Sequence, residues 1–280
     1  MNAPVLLTAG QPTGTSTLLA ETAARRGLGH AVVTPETAAR LAGRTLHWYG
    51  GPLAADRFLA SAPGCDLALL EPHDAWLAEL PREFTGRRVE LTTLSDAWGS
   101  TRPQFVKPPS DKQFPAAVYA DGSRLPTGGE RIDPDTPVLV SEVVTFAWEY
   151  RLFVLDGALV TASRYARFGR LDVAALGADP HEPEVRAFAA SFLAACAGSL
   201  PSATVVDVGL VQDPDSGVDR WAVVEANMPW FAHSYAADPD SVLDVVLRAT
   251  GPLGSVSAHD RGFLRSRSGP DGTAARPVAG

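Results

Sequence analysis

Two long β-rich hairpins in the second half of the chain constrain its fold more than any other feature. One runs Glu-Tyr-Arg-Leu-Phe-Val-Leu, turns at Asp156-Gly157, and returns as Ala-Leu-Val-Thr-Ala-Ser-Arg. An Asp-Gly pair between apolar runs is a strong two-residue turn signal, because both central positions need positive φ. The other runs Val-Val-Asp-Val-Gly-Leu-Val-Gln, passes through Asp-Pro-Asp-Ser-Gly-Val-Asp, and returns as Arg-Trp-Ala-Val-Val-Glu-Ala-Asn. Its middle is rich in turn formers, and its flanks are too apolar for a freely exposed strand.

Register arithmetic then places the polar side chains. A turn centred on Ser216 sets Asp207 directly opposite Glu225, with Asn227 on the same face two residues on. Opposed carboxylates destabilise a sheet unless a cation sits between them. Two carboxylates and an amide oxygen suit Mg²⁺, which takes oxygen ligands. A solvated turn with scattered acids is the competing reading, since Asp213, Asp215 and Asp219 lie nearby. In the first hairpin, a centre between Asp156 and Gly157 sets Glu149 opposite Arg164, with Arg151 on that face. The spacing fits two arrangements equally: a cross-strand ion pair worth about 0.2–1 kcal/mol, or a polar face for a ribose and a transferring phosphate.

Only two of the 24 basic residues are lysine, and both lie in Phe-Val-Lys-Pro-Pro-Ser-Asp-Lys-Gln-Phe, as Lys107 and Lys112. A compact, flexible ammonium suits phosphate oxygens on a mobile nucleotide, whereas guanidinium suits fixed bidentate partners. Arginine-biased composition leaving two neighbouring lysines by chance is the plain alternative.

Bulk properties narrow the class. A length of 280 residues predicts about two domains. A net charge of −8 and a pI near 5.2 argue against nucleic acid or an anionic membrane as main partner. Cys65 and Cys196 are too few and too distant for a disulfide framework or zinc site. No apolar run approaches the roughly 20 residues that span a bilayer, and the N-terminus lacks the basic and apolar regions of a signal peptide. A cytoplasmic protein is the expectation.

Along the chain, strands at 5–8, 31–34, 46–49 and 67–70 alternate with helices, which predicts a parallel sheet in a small α/β domain over residues 1–98. The Gly/Thr-rich stretch at 10–16 reads as an ordinary strand–helix turn; it is neither a Gly-x-Gly-x-x-Gly nor a Gly-Lys-Ser/Thr loop, which ranks a dinucleotide-dependent oxidoreductase last. A β-rich domain follows over 99–252, with strands at 104–107, 116–119, 138–144, 149–155, 158–164, 204–212 and 220–227 and helices at 184–200 and 240–249. Residues 253–280, rich in Gly, Ser, Arg and Pro without periodicity, are expected to be a disordered tail, with Arg261, Arg265 and Arg267 solvated.

Taken together these motifs resemble the ATP-grasp superfamily over most of residues 99–250. Phe-Val-Lys-Pro at 105–108 looks like the family's strand lysine that contacts nucleotide phosphate. Val-Leu-Val-Ser-Glu-Val-Val at 138–144 looks like its adenine hinge, where Glu142 and the backbone of Val143 and Val144 would meet the base. Glu149 occupies the position of the ribose-binding acid. Arg151 and Arg164 match the arginines of ligases of the ribosomal-protein glutamate-ligase type, and Asp207, Glu225 and Asn227 match the Mg²⁺ ligands. The small leading unit resembles the Rossmann-like pre-ATP-grasp domain. Two departures stand out. Residues 108–114 contain no glycine, where the family's mobile phosphate loop is often glycine-rich, so Lys112 would supply by side chain what backbone N–H groups otherwise give. No clear counterpart of the upstream basic residue is evident beyond Arg102.

The resemblance implies an α/β (α+β) fold whose antiparallel sheets sandwich ATP. It implies an ATP- and Mg²⁺-dependent carboxylate–amine ligase working through an acylphosphate, with small-molecule or peptide carboxylate and amine substrates. A small-molecule kinase and a non-catalytic nucleotide-binding module are the alternatives. Pro229-Trp230-Phe231 and His233-Ser234-Tyr235 either line the acceptor pocket or cap the core, the latter being the commoner role for such residues.

Overall fold

The computed structural model describes residues 3–34, 36–109, 114–127, 133–212 and 217–266. The chain opens with β1 (Val5–Thr8), α1 (Gly14–Arg25), β2 (Gly29–Val32), α2 (Thr37–Arg40), β3 (Leu46–Tyr49) and α3 (Pro52–Ser61). The three strands form the expected parallel sheet in the order β2-β1-β3. α1 starts where Thr13 caps it: Ser16 N–H donates to Thr13 Oγ1 at 3.1 Å, and Thr13 N–H donates to Ser16 Oγ at 2.8 Å. The Gly/Thr-rich stretch is thus a strand–helix turn with a reciprocal cap.

The fourth expected parallel strand behaves differently. β4 (Ala68–Leu69) does not join the parallel sheet and pairs antiparallel with a late strand, Thr250–Gly251. Local sequence carries no information about that partner, which is about 180 residues away along the chain. Short helices α4 (Trp76–Glu79) and α5 (Arg82–Thr85) then lead into β5 (Val89–Thr93) and α6 (Leu94–Ala97).

β5 lies before the expected boundary at 98/99, yet it pairs with β8 (Pro137–Ser141) in a four-stranded antiparallel sheet. That sheet has the order β5-β8-β6-β7, where β6 is Gln104–Lys107 and β7 is Ala117–Tyr119. A second antiparallel sheet, ordered β11-β10-β9-β12-β13, contains both hairpins. Its strands are β9 (Thr145–Leu155), β10 (Ala158–Arg167), β11 (Arg170–Ala175), β12 (Ala203–Gln212) and β13 (Arg220–Asn227). Residues 142–144 are the irregular link from the last strand of one sheet to the first of the other.

Helix α7 (Glu182–Cys196) covers one face of the larger sheet, burying Val185, Ala189, Phe192 and Cys196 among Tyr150, Leu152 and Val206. Helix α8 (Pro239–Ala249) covers the other, capped by Asp238, whose carboxylate accepts from Ser241 N–H at 2.8 Å. α8 buries Val242, Leu243, Val245 and Val246 in the same cluster as β1, β3 and Trp48, so the leading α/β unit and the larger sheet share one core. Both faces of β12 are therefore buried, which explains its near-continuous apolar run.

Residues 253–266 depart from the disordered tail expected there. Leu264 bridges to Leu70, Phe263 is buried, and Arg265 is only 11% exposed between Asp56 (2.9 Å) and Glu71 (2.8 Å). Composition without periodicity hides such an attachment, because a few anchors at irregular spacing suffice to hold an extended segment. Arg267 and the rest of the tail lie outside the described residues. Among the described residues no helix is long and apolar enough to cross a membrane.

Candidate functional site

The two antiparallel sheets face each other across a cleft. One wall comes from Val89, Phe105, Lys107 and Leu139 of the four-stranded sheet; the other comes from Phe146, Glu149 and Glu225 of the five-stranded sheet. The link residues Glu142, Val143 and Val144 form its end. Their position follows from local chemistry. β8 ends at Ser141, and the chain must cross from one sheet to the next before β9 begins at Thr145. The Glu142 carboxylate is held at that crossing by Arg88 N–H (2.7 Å) and by the Arg82 guanidinium (3.2 Å).

At the inner end of the cleft the hairpin register brings three polar side chains together. Asp207 pairs with Glu225 as expected from the sequence, and Asn227 donates to Glu225 Oε1 at 2.9 Å. Ser216, the expected turn centre, lies outside the described residues. Nearer the turn, Val211 pairs with Arg220 and Val208 with Val223, one residue out of that register. A bulge at Val224 restores the offset just before Glu225.

Cations fill the spaces between these acids. Arg151, adjacent on β9, forms a bidentate pair with Asp207 through Nε (2.9 Å) and Nη2 (2.7 Å). Lys107 reaches across from the other sheet and donates to Glu225 Oε2. Asp207 is 1% exposed, and that burial pushes its carboxyl above the ordinary range against the pull of Arg151. Burial acts the same way on Glu225, but the Lys107 charge, the Asn227 hydrogen bond and Arg151 outweigh it and bring its pKa down to about 2. Burial opposes the charge on Arg151 as well, and the Asp207 carboxylate outweighs it, so the guanidinium is held more firmly protonated than usual.

The first hairpin corrects one sequence expectation. Arg164 does not lie opposite Glu149; it pairs with Tyr150, and Ala166 pairs with Glu149. Irregularities between Leu159 and Thr161 and between Arg164 and Ala166 each shift the register by one. A one-residue shift turns a side chain to the other face of the sheet. Arg164 accordingly binds Asp179 and Asp172 (3.1 Å) under α7, and stacks 5.1 Å from the Trp148 ring. Arg164, expected from sequence to be catalytic, thus lines neither cleft.

Tyr165 takes its place on the functional face. Its hydroxyl donates to Glu149 Oε2 at 2.8 Å, and its ring stacks on Tyr235 at 5.2 Å. Arg151 sits over both rings, at 5.5 and 5.3 Å. Burial raises the Glu149 pKa, with Tyr165 opposing and the Asp207 and Glu225 charges adding to the rise. No periodicity singles out Tyr165; only the bulges do.

Arg87 is the second residue missed from sequence. It is 5% exposed, lines the cleft, and donates to the carbonyls of Thr85 (3.0 Å), Val223 (2.8 Å) and Val224 (3.1 Å). Burial lowers its pKa to about 10. Arg102, the sequence candidate for an upstream cation, is exposed and lines neither this cleft nor the next. Lys112 lies outside the described residues.

A wider cleft adjoins the first at Lys107, Ala116 and Glu225. Its walls include Phe114, Arg151, Met228, Phe231, His233 and Tyr235. The segment after β13 thus divides between two roles. Trp230 is fully buried and donates to the Leu70 carbonyl at 2.7 Å, while Phe231 and His233 face the cleft.

Residues 84–245, more than half of the chain, match an ATP-grasp domain family, the second family of its clade. The chain belongs to the ATP-grasp superfamily. This family match begins at α5 and takes in β5, in keeping with the strand pairing that crosses residue 98. No curated protein matches the chain in sequence. Among solved structures, D-alanine–D-alanine ligase from Bacillus anthracis is 11% identical with a TM-score of 0.50, covering 89% of this chain and 97% of that one. The RimK domain protein ATP-grasp from Sphaerobacter thermophilus DSM 20745 is 18% identical with a TM-score of 0.49, covering 90% and 100%. The ATP-grasp ligase PsnB complexed with minimal precursor is 13% identical with a TM-score of 0.43, covering 89% and 100%. At 11% identity the likeness to the D-alanine–D-alanine ligase concerns the fold alone.

Proposed function

We propose that this ATP-grasp protein is an ATP-dependent carboxylate–amine ligase that works through an acylphosphate and releases ADP and phosphate. The observation that carries the reading is the contact of Lys107 with Glu225 at the junction of the two clefts. A narrow cleft between sheets suits a flat base and ribose, and a broad one suits an acceptor. In this reading Glu142, Val143 and Val144 meet the base, Glu149 the ribose, and Lys107 and Lys112 the phosphates, with Arg87 as a further cation in the nucleotide cleft.

The residues present fit Mg²⁺. Asp207 and Glu225 offer carboxylate oxygens gathered around the Asn227 amide, whose Nδ2 donates to both (3.5 and 2.9 Å), and a carboxylate has about four lone-pair positions, so the two bonds from Arg151 do not exhaust Asp207. When bound, the ion would supply charge neutralisation for the phosphates. The acceptor carboxylate attacks the γ-phosphorus in line, ADP leaves, and an amine then displaces phosphate from the acyl carbon while losing a proton. Lys107 and Arg151 stabilise the charge that spreads over the transferring phosphoryl oxygens. Arg151 is rigid enough for this because Asp207, Tyr165 and Tyr235 fix it on three sides. A cytoplasmic location, where ATP is abundant, accords with the reading.

The test is an ADP-release screen over paired carboxylates and amines, with Glu225→Gln as blank. ADP and inorganic phosphate in equal amounts with a new amide support it. AMP, or a stable phosphorylated product without free phosphate, overturns it.

A further inference from the structure

We propose that His233 is the specificity-determining donor of the acceptor cleft, presenting Nε2–H to the acceptor carboxylate of a substrate with an aromatic or bulky apolar side chain. This deepens the ligase reading and rests on it.

The assignment starts from which donors in the wide cleft are already engaged. Lys107 is held by Glu225, Arg151 by Asp207, and the Asn227 amide by Glu225. His233 differs. Its Nδ1 accepts the backbone N–H of Tyr235 at 3.1 Å, so the Nδ1 lone pair is occupied and the neutral ring carries its proton on Nε2. Protonating Nδ1 would set N–H against N–H. The same contact that fixes the tautomer therefore also disfavours the imidazolium. Burial and the Arg151 charge act in that direction too, lowering the pKa. Arg151 is the charged group facing the ring, and Tyr235 stacks beside it at 4.6 Å.

The backbone is shaped for this presentation. Tyr235 has φ +49°, a left-handed conformation that is uncommon for a bulky residue. That geometry aims its N–H back at His233 while its ring lies against Arg151 and Tyr165. Arg151 Nη1 meets the His233 carbonyl at 3.4 Å. The exposed imidazole is thus held by both the N–H and the ring of Tyr235, and its backbone by Arg151, which a solvated surface histidine does not need. Part of the surrounding wall is apolar. Phe231 is 45% exposed, and Met228 and Phe114 line the same cleft with Pro108, Pro109 and Pro115. A neutral donor next to a committed arginine, with aromatic surface around it, matches a carboxylate carried by an apolar group.

The experiment uses the full chain with Mg·AMPPNP and titrates phenylacetate against acetate, following the His233 ring by long-range ¹H–¹⁵N correlation. The wild type is compared with His233→Gln, which keeps an amide donor, and His233→Phe, which keeps a ring without one. The expected result is an Nε2–H tautomer throughout about pH 6–8 that shifts on phenylacetate binding. Phenylacetate should bind more tightly than acetate, and His233→Phe should weaken it about tenfold while His233→Gln retains most of it. AMPPNP affinity should stay unchanged in both variants. Equal phenylacetate binding by His233→Phe, an Nδ1–H tautomer, or acetate binding as tightly overturns the proposal. The same samples with Mg·ATP and hydroxylamine separate the two readings. Phenylacetate held through His233 with no ADP released overturns the ligase reading and leaves the donor site standing. ADP and hydroxamate formed equally by His233→Phe overturn the donor and leave the ligase.

Discussion

Glu225 stands at the meeting point of Lys107, Asn227 and both clefts, and its charge state follows from them. Its folded pKa near 2 is below that of the unfolded chain. A depressed carboxyl contributes stability that is present above the unfolded value, about 4.3, and is lost as pH falls through the folded one. Glu225→Gln should therefore be less stable than the wild type at neutral pH, with the gap closing as pH falls from about 4.5 towards 2; urea unfolding across that range measures it. Asp207 presents a harder case, because its removal strands a buried partner. Asp207→Asn leaves the Arg151 guanidinium buried without its bidentate carboxylate and should cost about 3–5 kcal/mol. Chemical unfolding checks that value, and replacing Arg151 by Met in the same background should recover part of the loss.

At the scale of strands, bulges decide which residues can take part in chemistry. The two irregularities in β10 put Tyr165 on the Glu149 face and Arg164 on the α7 face. Tyr165→Phe should weaken nucleotide binding severalfold with little loss of stability. Arg164→Leu should do the reverse: it leaves buried Asp179 without its guanidinium, lowering stability while nucleotide affinity holds. Isothermal titration with AMPPNP, run beside thermal unfolding, distinguishes the pair. The bulge at Val224 has the opposite history, since it offsets the one-residue register difference over Val208–Val211 and returns Asp207 to Glu225. The Asp207–Glu225–Asn227 cluster was legible in sequence because that register difference and the bulge cancelled. The role of Tyr165 was not, because nothing in an alternating pattern announces an extra residue.

For the whole molecule, the last described segment ties back onto α3 and the residues around β4. Arg265 bridges Asp56 of α3 and Glu71 beyond β4, and Leu264 bridges Leu70, whose carbonyl takes the Trp230 indole N–H. Trp230 in turn leads into the Phe231–Tyr235 wall of the acceptor cleft. Truncation after Pro252 should thus lower the melting temperature by several degrees, equivalent to about 2–4 kcal/mol for a chain of this size. It should also reduce turnover through the acceptor side, seen as a higher KM for the carboxylate at unchanged ATP affinity. A tail that is merely solvated would change neither quantity.

Turn chemistry and alternation by themselves determined the first three strands and both hairpins, because these depend on neighbours a few residues apart, whereas the facing of Asp207 with Glu225 also needed the bulge at Val224. Lys107 at the end of β6 and the segment 142–144 also line the cleft. Tertiary structure alone decided that β5 crosses the expected boundary, that β4 pairs with residues 250–251, and that Arg87 lines the cleft. It alone turned Arg164 away and docked Arg265. Each of these outcomes joins segments far apart in the chain or rests on a single extra residue in a strand. Burial and long-range pairing select among such arrangements, and local pattern is the same for all of them.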